Sequence, residues 1–181
     1  MVERKKFREP AIPDDHLILK YSGIFDLKGL YGTITEWFID YGFYLEEPSW
    51  KHKVPSPSGA EQEIEFTGWK KINEYVIYWV ELYIHIYDLV DVDVVKEGVK
   101  KKLNRANMAL EFRAYVETDY SKRFETKFEL FIKDFMDRYL FKKDMDVIWS
   151  DQLYYITYKL HTRIKEFLGM ETSPDPFKEV W

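Results

Sequence analysis

The stretch from Tyr75 to Tyr87 constrains the fold more than any other part of the chain, because it alternates with a period of two. One side of the alternation collects Val76, Tyr78, Val80, Leu82, Ile84 and Ile86. The other side collects Tyr75, Ile77, Trp79, Glu81, Tyr83, His85 and Tyr87. Successive side chains of a strand point to opposite faces of its sheet, so the pattern predicts a central strand with one almost purely aliphatic face.

Further strands are predicted on both sides of this segment. Residues 50–54 and 61–66 flank a proline-rich turn, and lysines alternate on the first strand while Glu61, Glu63 and Glu65 alternate on the second. Opposite charges facing each other across two strands favour such a hairpin. Residues 90–94 and 99–103 predict a small hairpin, and 107–118 predicts one more strand. The sequence leaves open whether Asp88-Leu89 is a bend within one strand or a turn between two.

Three helices are predicted from apolar residues at helical spacing. The first begins after Asp26, a typical N-cap, and ends at Gly42. The second carries phenylalanines between residues 124 and 135. The third runs from about 145 to Gly169, and its apolar stripe comprises Met145, Trp149, Leu153, Ile156, Leu160, Ile164 and Phe167. The element order indicates an α+β fold. We expect a curved antiparallel β-meander of about five to six strands, packed on one N-terminal and two C-terminal helices, with an order like that of helix-grip proteins.

Proline residues near both ends delimit the domain. We expect an extended N-terminal arm at 1–22, a single α+β domain at 23–169 and an extended C-terminal tail at 170–181. Within the arm, the alternation of residues 17–20 permits a short strand. Both end segments carry aromatic residues, Phe7 in the first and Phe177 and Trp181 in the last. Arms of this kind are able to pack on a neighbouring copy and so to build an oligomer.

Composition excludes several function classes. The net charge of −5 disfavours non-specific binding to nucleic acid. The chain has no cysteine, which excludes disulfides, zinc–thiolate sites and thiol catalysis. It has neither a secretory signal nor an apolar run long enough for a membrane helix, so we expect a cytoplasmic protein.

Known catalytic and metal-binding motifs are missing from the sequence. The four histidines, His16, His52, His85 and His161, belong to no recognisable motif. Asp91 and Asp93 have the spacing of a cation-binding pair, but a strand that faces lysines explains them better. Glu81 is a candidate acid among aromatic residues, although an ion pair with Arg113 across two strands is favoured. We therefore expect no catalytic, cofactor-binding or metal-binding residues. We favour a binding protein over an enzyme.

The second face of the predicted sheet is the candidate functional surface, because aromatic residues and arginine are typical of protein interfaces. Its members are Trp69, Tyr75, Trp79, Glu81, Tyr83, His85, Tyr87, Glu111, Arg113 and Tyr115. Three interpretations stay open: cover by the chain's own arms or helices, a protein interface, or a groove for a sugar, lipid or single-stranded nucleic acid. We favour a non-enzymatic protein that self-associates through this face and its terminal arms. The alternative is a domain that binds a lipid-like or other apolar small molecule between sheet and helices.

Two short segments carry a resemblance. Ser22 to Leu27 with Leu30-Tyr31 and Glu36-Trp37, and then Asp151 to Tyr155, are similar to segments of small aromatic-rich archaeal proteins that have no assigned function. This resemblance implies an archaeal, intracellular setting. It transfers no functional site.

Overall fold

The structure, a computed structural model, describes residues 8–46, 48–56, 59–96, 99–118 and 145–170. They form an α+β fold in which one large sheet packs against two helices. The strands are β1 (Arg8–Pro10), β2 (Leu17–Phe25), β3 (Tyr44–Leu45), β4 (Ser49–Ser56), β5 (Gly59–Lys71), β6 (Val76–Lys96) and β7 (Val99–Thr118). The helices are α1 (Leu27–Asp40) and α2 (Asp151–Phe167), and a π-helical turn at Met145–Ser150 precedes α2.

The sheet is open, antiparallel and seven-stranded, in the order β1-β7-β6-β5-β3, with β2 also paired to β7 and β4 to β5. Strands β4 to β7 follow one another as the predicted meander. The prediction of about five to six strands omitted β1 and β3, which are three and two residues long. Segments this short show no periodicity, and tertiary pairing alone makes them strands.

Strand β6 answers the question that the sequence left open at Asp88-Leu89. The pairing of β6 with β7 shifts register between Tyr87 and Val90 and then continues to Lys96. Asp88 has a φ of 54°, as expected at a β-bulge. The strand predicted at 75–87, the small hairpin predicted at 90–94 and 99–103, and the strand predicted at 107–118 are therefore one long hairpin with a bulge. Gly59 lies against the bulge, where an added Cβ would sit 2.5 Å from the backbone of Asp88.

The inner face of the sheet, which we define as the face that packs on α1 and α2, forms the core. The six residues predicted for it on β6 are all buried. Phe66, Leu110 and Phe112 extend this apolar surface across the neighbouring strands. Gly68 lets α1 approach closely, because a Cβ there would lie 2.5 Å from the ring of Phe38.

Helix α1 begins and ends as its sequence predicts. The carboxylate of Asp26 accepts a hydrogen bond of 3.0 Å from the backbone N–H of Gly29. Gly42 follows the helix with a φ of 70°, a conformation that glycine adopts without strain. Four side chains of α1 are buried against the sheet: Leu30, Ile34, Trp37 and Phe38.

Helix α2 differs from its prediction in the residues that it buries. Leu153, Leu160 and Ile164 are buried as expected, but Thr157 is buried as well and Phe167 is exposed. The hydroxyl of Thr157 donates to the carbonyl of Leu153 at 2.9 Å, which satisfies a polar group that the sequence pattern places outside.

Several predictions fall outside the described residues, namely the helix expected between 119 and 143, the tail from 171 and the first seven residues. From Arg8 onwards, the segment expected to be an arm contributes β1 and β2 to the sheet. The two helices among the described residues, 14 and 17 residues long, do not combine the length and apolarity needed to cross a membrane.

Candidate functional site

The outer face of the sheet, opposite α1 and α2, assembles most of the predicted surface. Residues paired directly across antiparallel strands share a face. Trp79 lies between Trp69 and Tyr115, Glu81 lies opposite Arg113, and Tyr83 lies opposite Glu111. His85 and Tyr87 continue the same side of β6. Tyr75 was predicted here but precedes β6, and its half-buried side chain packs against the core. Tyr75 therefore does not continue the alternation of side chains that the sequence suggested for β6.

The N-terminal segment covers one corner of the outer face. The guanidinium of Arg8 stacks over the ring of Trp79, with 4.0 Å from its central carbon to the ring centroid. Its Nε lies 3.0 Å from Oε2 of Glu117, and its Nη1 lies 3.6 Å from Oε1 of Glu81. Neighbouring Ile77 is only 5% exposed. At this corner the face is therefore covered by the chain itself.

The middle of the outer face is accessible to solvent. Glu65 and Arg113 are exposed there. The Nη2 of Arg113 donates to Oε1 of Glu111 at 2.5 Å, and this hydrogen bond raises the pKa of Arg113. Glu81 and Arg113 are directly opposed, as the predicted ion pair between them requires. The ion pairs described above, however, join Arg113 to Glu111 and Glu81 to Arg8.

Apolar side chains continue the outer face toward the tip of the β6–β7 hairpin. The strand register places Val90, Val92 and Leu103, which lie beyond the bulge, on the same face as Tyr87. Tyr87 is 42% exposed, and Ile24 of the neighbouring β2 is 48% exposed. Large apolar side chains left this open to water are typical of surfaces that bind another molecule.

Charge is divided across the outer face. The half formed by β2 and β7 carries three exposed cationic side chains, Lys20, Arg105 and Arg113, of which Arg113 is paired with Glu111. Glu61, Glu63 and Glu65 make the β5 half acidic. Within the acidic half, the ammonium group of Lys51 lies 3.8 Å from Glu63, at the position predicted from the alternating charges.

A cluster of four polar residues lies where β5 meets β6 beside the bulge. Nε2 of His85 is 2.5 Å from Oε1 of Glu61, and Nδ1 of His85 is 2.7 Å from the hydroxyl of Tyr87. Glu63 lies directly opposite His85. Glu61, Glu63 and His85 each offer one possible ligand atom, and these three atoms all lie within 4.8 Å of one another. These are the ligand types of a metal site.

Sequence reasoning missed this cluster. It identified His85 on the outer face and the alternation of glutamates on β5, but it assigned the glutamates to pairs with lysines alone. The distance between His85 and Glu61 depends on the register of β5 against β6, which shifts between Ala60 and Gln62. No sequence motif specifies such a shift, although alternating glutamates beside a histidine-bearing strand are a signal worth testing.

The inner face holds two titratable groups between sheet and helix α2. Burial raises the pKa of Tyr78 to about 12, and its hydroxyl donates to Oε1 of Gln152 at 3.1 Å. Burial, and then Lys165, lower the pKa of His161, whose ring meets the edge of Phe112. Among the described residues, the buried Nδ1 of His161 has no hydrogen-bond partner.

No protein-family model matches the chain, and no curated protein sequence matches it. The resemblance to archaeal proteins therefore stays a prediction.

Proposed function

We propose that the protein is a non-enzymatic interaction protein that self-associates through the outer face of its sheet and its terminal segments. The observation that carries the proposal is the combination of solvent-accessible aromatic and apolar side chains with two halves of opposite charge. Tyrosine, tryptophan and arginine are the residues that contribute most to binding at protein interfaces.

A second copy is the occupant that fits this surface best. In a two-fold contact the same patch serves both copies, so residue i meets residue j twice. A two-fold axis through the outer face sets the basic half with Lys20 and Arg113 over the acidic half with Glu63 and Glu65 of the other copy. Complementary charges of this kind fix the register of an interface and accelerate its formation.

Apolar burial supplies the affinity in this proposal. Ile24, Tyr87 and the valines that follow the bulge lie on the same side of the sheet as the charges. Complete burial of such a side chain contributes roughly 1.5–3 kcal/mol. An apolar centre surrounded by charged residues is the arrangement typical of a protein interface.

The proposal includes the two terminal segments in this contact. Arg8 already lies against Trp79 on the outer face, so residues before it start from the edge of the proposed interface. The proposal also includes the predicted C-terminal tail at 170–181. It assigns both terminal segments to contacts with the neighbouring copy.

The test is sedimentation velocity of the full chain over a wide concentration range, with substitutions at two exposed isoleucines. Ile24 lies on the outer face and Ile39 lies on α1, at 48% and 66% exposure. We expect Ile24→Glu to weaken self-association by about tenfold or more, because it adds an acidic group opposite the acidic half. Ile24→Lys should weaken it less.

Ile39→Glu is the matched control and should leave the mass distribution unchanged. A protein that stays monomeric at high micromolar concentration contradicts the proposal, and so does equal weakening by Ile24→Glu and Ile39→Glu.

A second function has one observation in its favour. We propose as the alternative a helix-grip-like domain that binds an apolar small molecule between the sheet and α2. Nδ1 of His161, near Phe112, supports it: this buried atom has no hydrogen-bond partner in the part of the chain that the structure describes, and a buried polar atom in an apolar setting favours a ligand that supplies its hydrogen bond. A fluorescent fatty acid that binds the wild type and binds His161→Phe equally well would contradict this placement.

A further inference from the structure

We propose that Glu61, Glu63 and His85 form a binding site for a divalent first-row transition metal ion, with zinc as the representative. The proposal goes beyond self-association, because all three ligands belong to one chain. It rests on the position of these side chains on paired strands, on their donor types and on the hydrogen bond that orients His85.

Paired strands fix the three side chains relative to one another. Glu63 and His85 are directly opposed on β5 and β6, which brings their Cβ atoms to about 4.5–5.5 Å. Glu61 is two residues before Glu63 and so lies on the same side of its strand. The bulge in β6 is anchored by the contact of Gly59 with Asp88. Sites carried by strands are held more accurately than sites carried by loops.

The donor atoms are close to the spacing that a zinc ion requires. Zinc binds imidazole nitrogen and carboxylate oxygen at about 2.0–2.2 Å, so neighbouring ligands around a tetrahedral ion are about 3.4 Å apart. The donors of the cluster lie within 4.8 Å of one another, and the pair formed by His85 and Glu61 is at 2.5 Å. The proposal requires the two glutamate side chains to rotate until all three donor atoms reach this spacing.

The ligand chemistry selects the class of metal. Imidazole nitrogen is a ligand for zinc, copper, iron and nickel, whereas magnesium and calcium prefer oxygen alone. Two carboxylates and a neutral imidazole also balance the charge of a divalent ion. Three protein ligands leave a fourth position, which is the arrangement of zinc sites that hold water or a substrate.

Tyr87 orients the histidine for this role. Its hydroxyl lies 2.7 Å from Nδ1 of His85, and the two rings are in contact, with centroids 3.9 Å apart. With the proton on Nδ1, the ring donates to the tyrosine oxygen and directs the lone pair of Nε2 toward the glutamates. A hydrogen bond to the distal nitrogen is the usual outer partner of a metal-bound histidine.

Two features of the cluster compete with metal binding. Lys51 lies 3.8 Å from Glu63, but its side chain is 70% exposed and is free to turn into solvent when a cation arrives. Glu61 forms a hydrogen bond with His85, which the metal replaces by taking the place of the shared proton. A simple structural pair of histidine and glutamate is therefore the interpretation that the experiment must separate from a metal site.

The experiment is isothermal titration of the full chain, after treatment with a chelator, with zinc ions. We expect one saturable site per chain. His85→Gln and Glu61→Gln should abolish it, and Tyr87→Phe should weaken the affinity by about 10- to 100-fold while keeping the aromatic ring. Glu65→Gln is the matched control, because Glu65 lies on the same strand and face and lies outside the cluster. It should bind zinc as the wild type does.

Circular dichroism of each variant establishes that it is folded before titration. Absence of saturable zinc binding overturns the proposal, and so does unchanged binding in a folded His85→Gln variant. Sedimentation with excess chelator separates the two proposals, because self-association through the outer face persists there if it does not depend on the metal.

Discussion

The two faces of the sheet are made by the same strands, yet they follow different rules. On β6 the inner positions from Val76 to Ile86 are buried, and each is apolar or, at Tyr78, hydrogen-bonded to a helix. The outer positions alternate between aromatic and charged residues and are covered by the chain's own Arg8 at one corner. The inner face is explained by folding alone. The outer face carries more aromatic surface than an ordinary solvated sheet needs, which directs the search for function to it.

Neighbouring residues of β6 provide the sharpest test of this contrast. Leu82 is buried on the inner face, and Leu82→Ala should lower the free energy of unfolding by about 2–5 kcal/mol because it leaves a cavity. Tyr83→Ala, on the outer face, should cost much less in the monomer. Urea denaturation at low protein concentration measures both. Equal losses would contradict the division between a structural face and an accessible one.

The inner face should also respond to acid, through His161. Its pKa is lowered in the folded protein, so the unfolded chain binds the proton more tightly. The contribution to stability is complete above the ordinary pKa of histidine, about 6.5, and is lost as pH falls below that value. The loss from this one group has a slope of at most about 1.4 kcal/mol per pH unit.

Urea denaturation between neutral and mildly acidic pH measures this slope. His161→Phe should reduce the slope, whereas substitution of exposed His16 by Gln should preserve it. A slope that His161→Phe leaves unchanged would remove His161 as its source.

The smallest expected effect concerns the corner where Arg8 meets Trp79. A cation–π contact at a partly exposed position contributes about 0.5–1 kcal/mol. A double-mutant cycle with Arg8→Ala and Trp79→Leu should yield a coupling energy of that size in urea denaturation. Zero coupling would mean that the stacking of Arg8 on Trp79 does not stabilise this corner of the sheet.

The sequence predicted those parts of the fold in which local pattern and tertiary packing agree. The alternation of β6 and the caps of α1 were both confirmed. The caps could be predicted because Asp26 and Gly42 each act within their own turn of the chain. Strands β1 and β3 were missed, since their structure depends on pairing with distant residues. Tyr75 was assigned to the outer face because periodicity does not mark where a strand begins.

The candidate site was predictable only in part, for the same reason. Periodicity assigned Trp79, Tyr83 and His85 to one face, and the register confirmed that they share it. The cluster of His85 with Glu61 depends on one extra residue in β6, which shifts the register of β6 against both β5 and β7. At this bulge Gly59 lies close to the backbone of Asp88, and such a contact leaves no periodic signal in the sequence.

The most direct test of the proposed role of the outer face is oxidative footprinting by mass spectrometry, at protein concentrations below and above the onset of self-association. Ile24 and Tyr87, exposed on the outer face, should be protected at the higher concentration, while Ile39 on α1 should be modified equally at both. Protection of Ile39 with continued modification of Ile24 and Tyr87 would place the contact elsewhere and contradict the account.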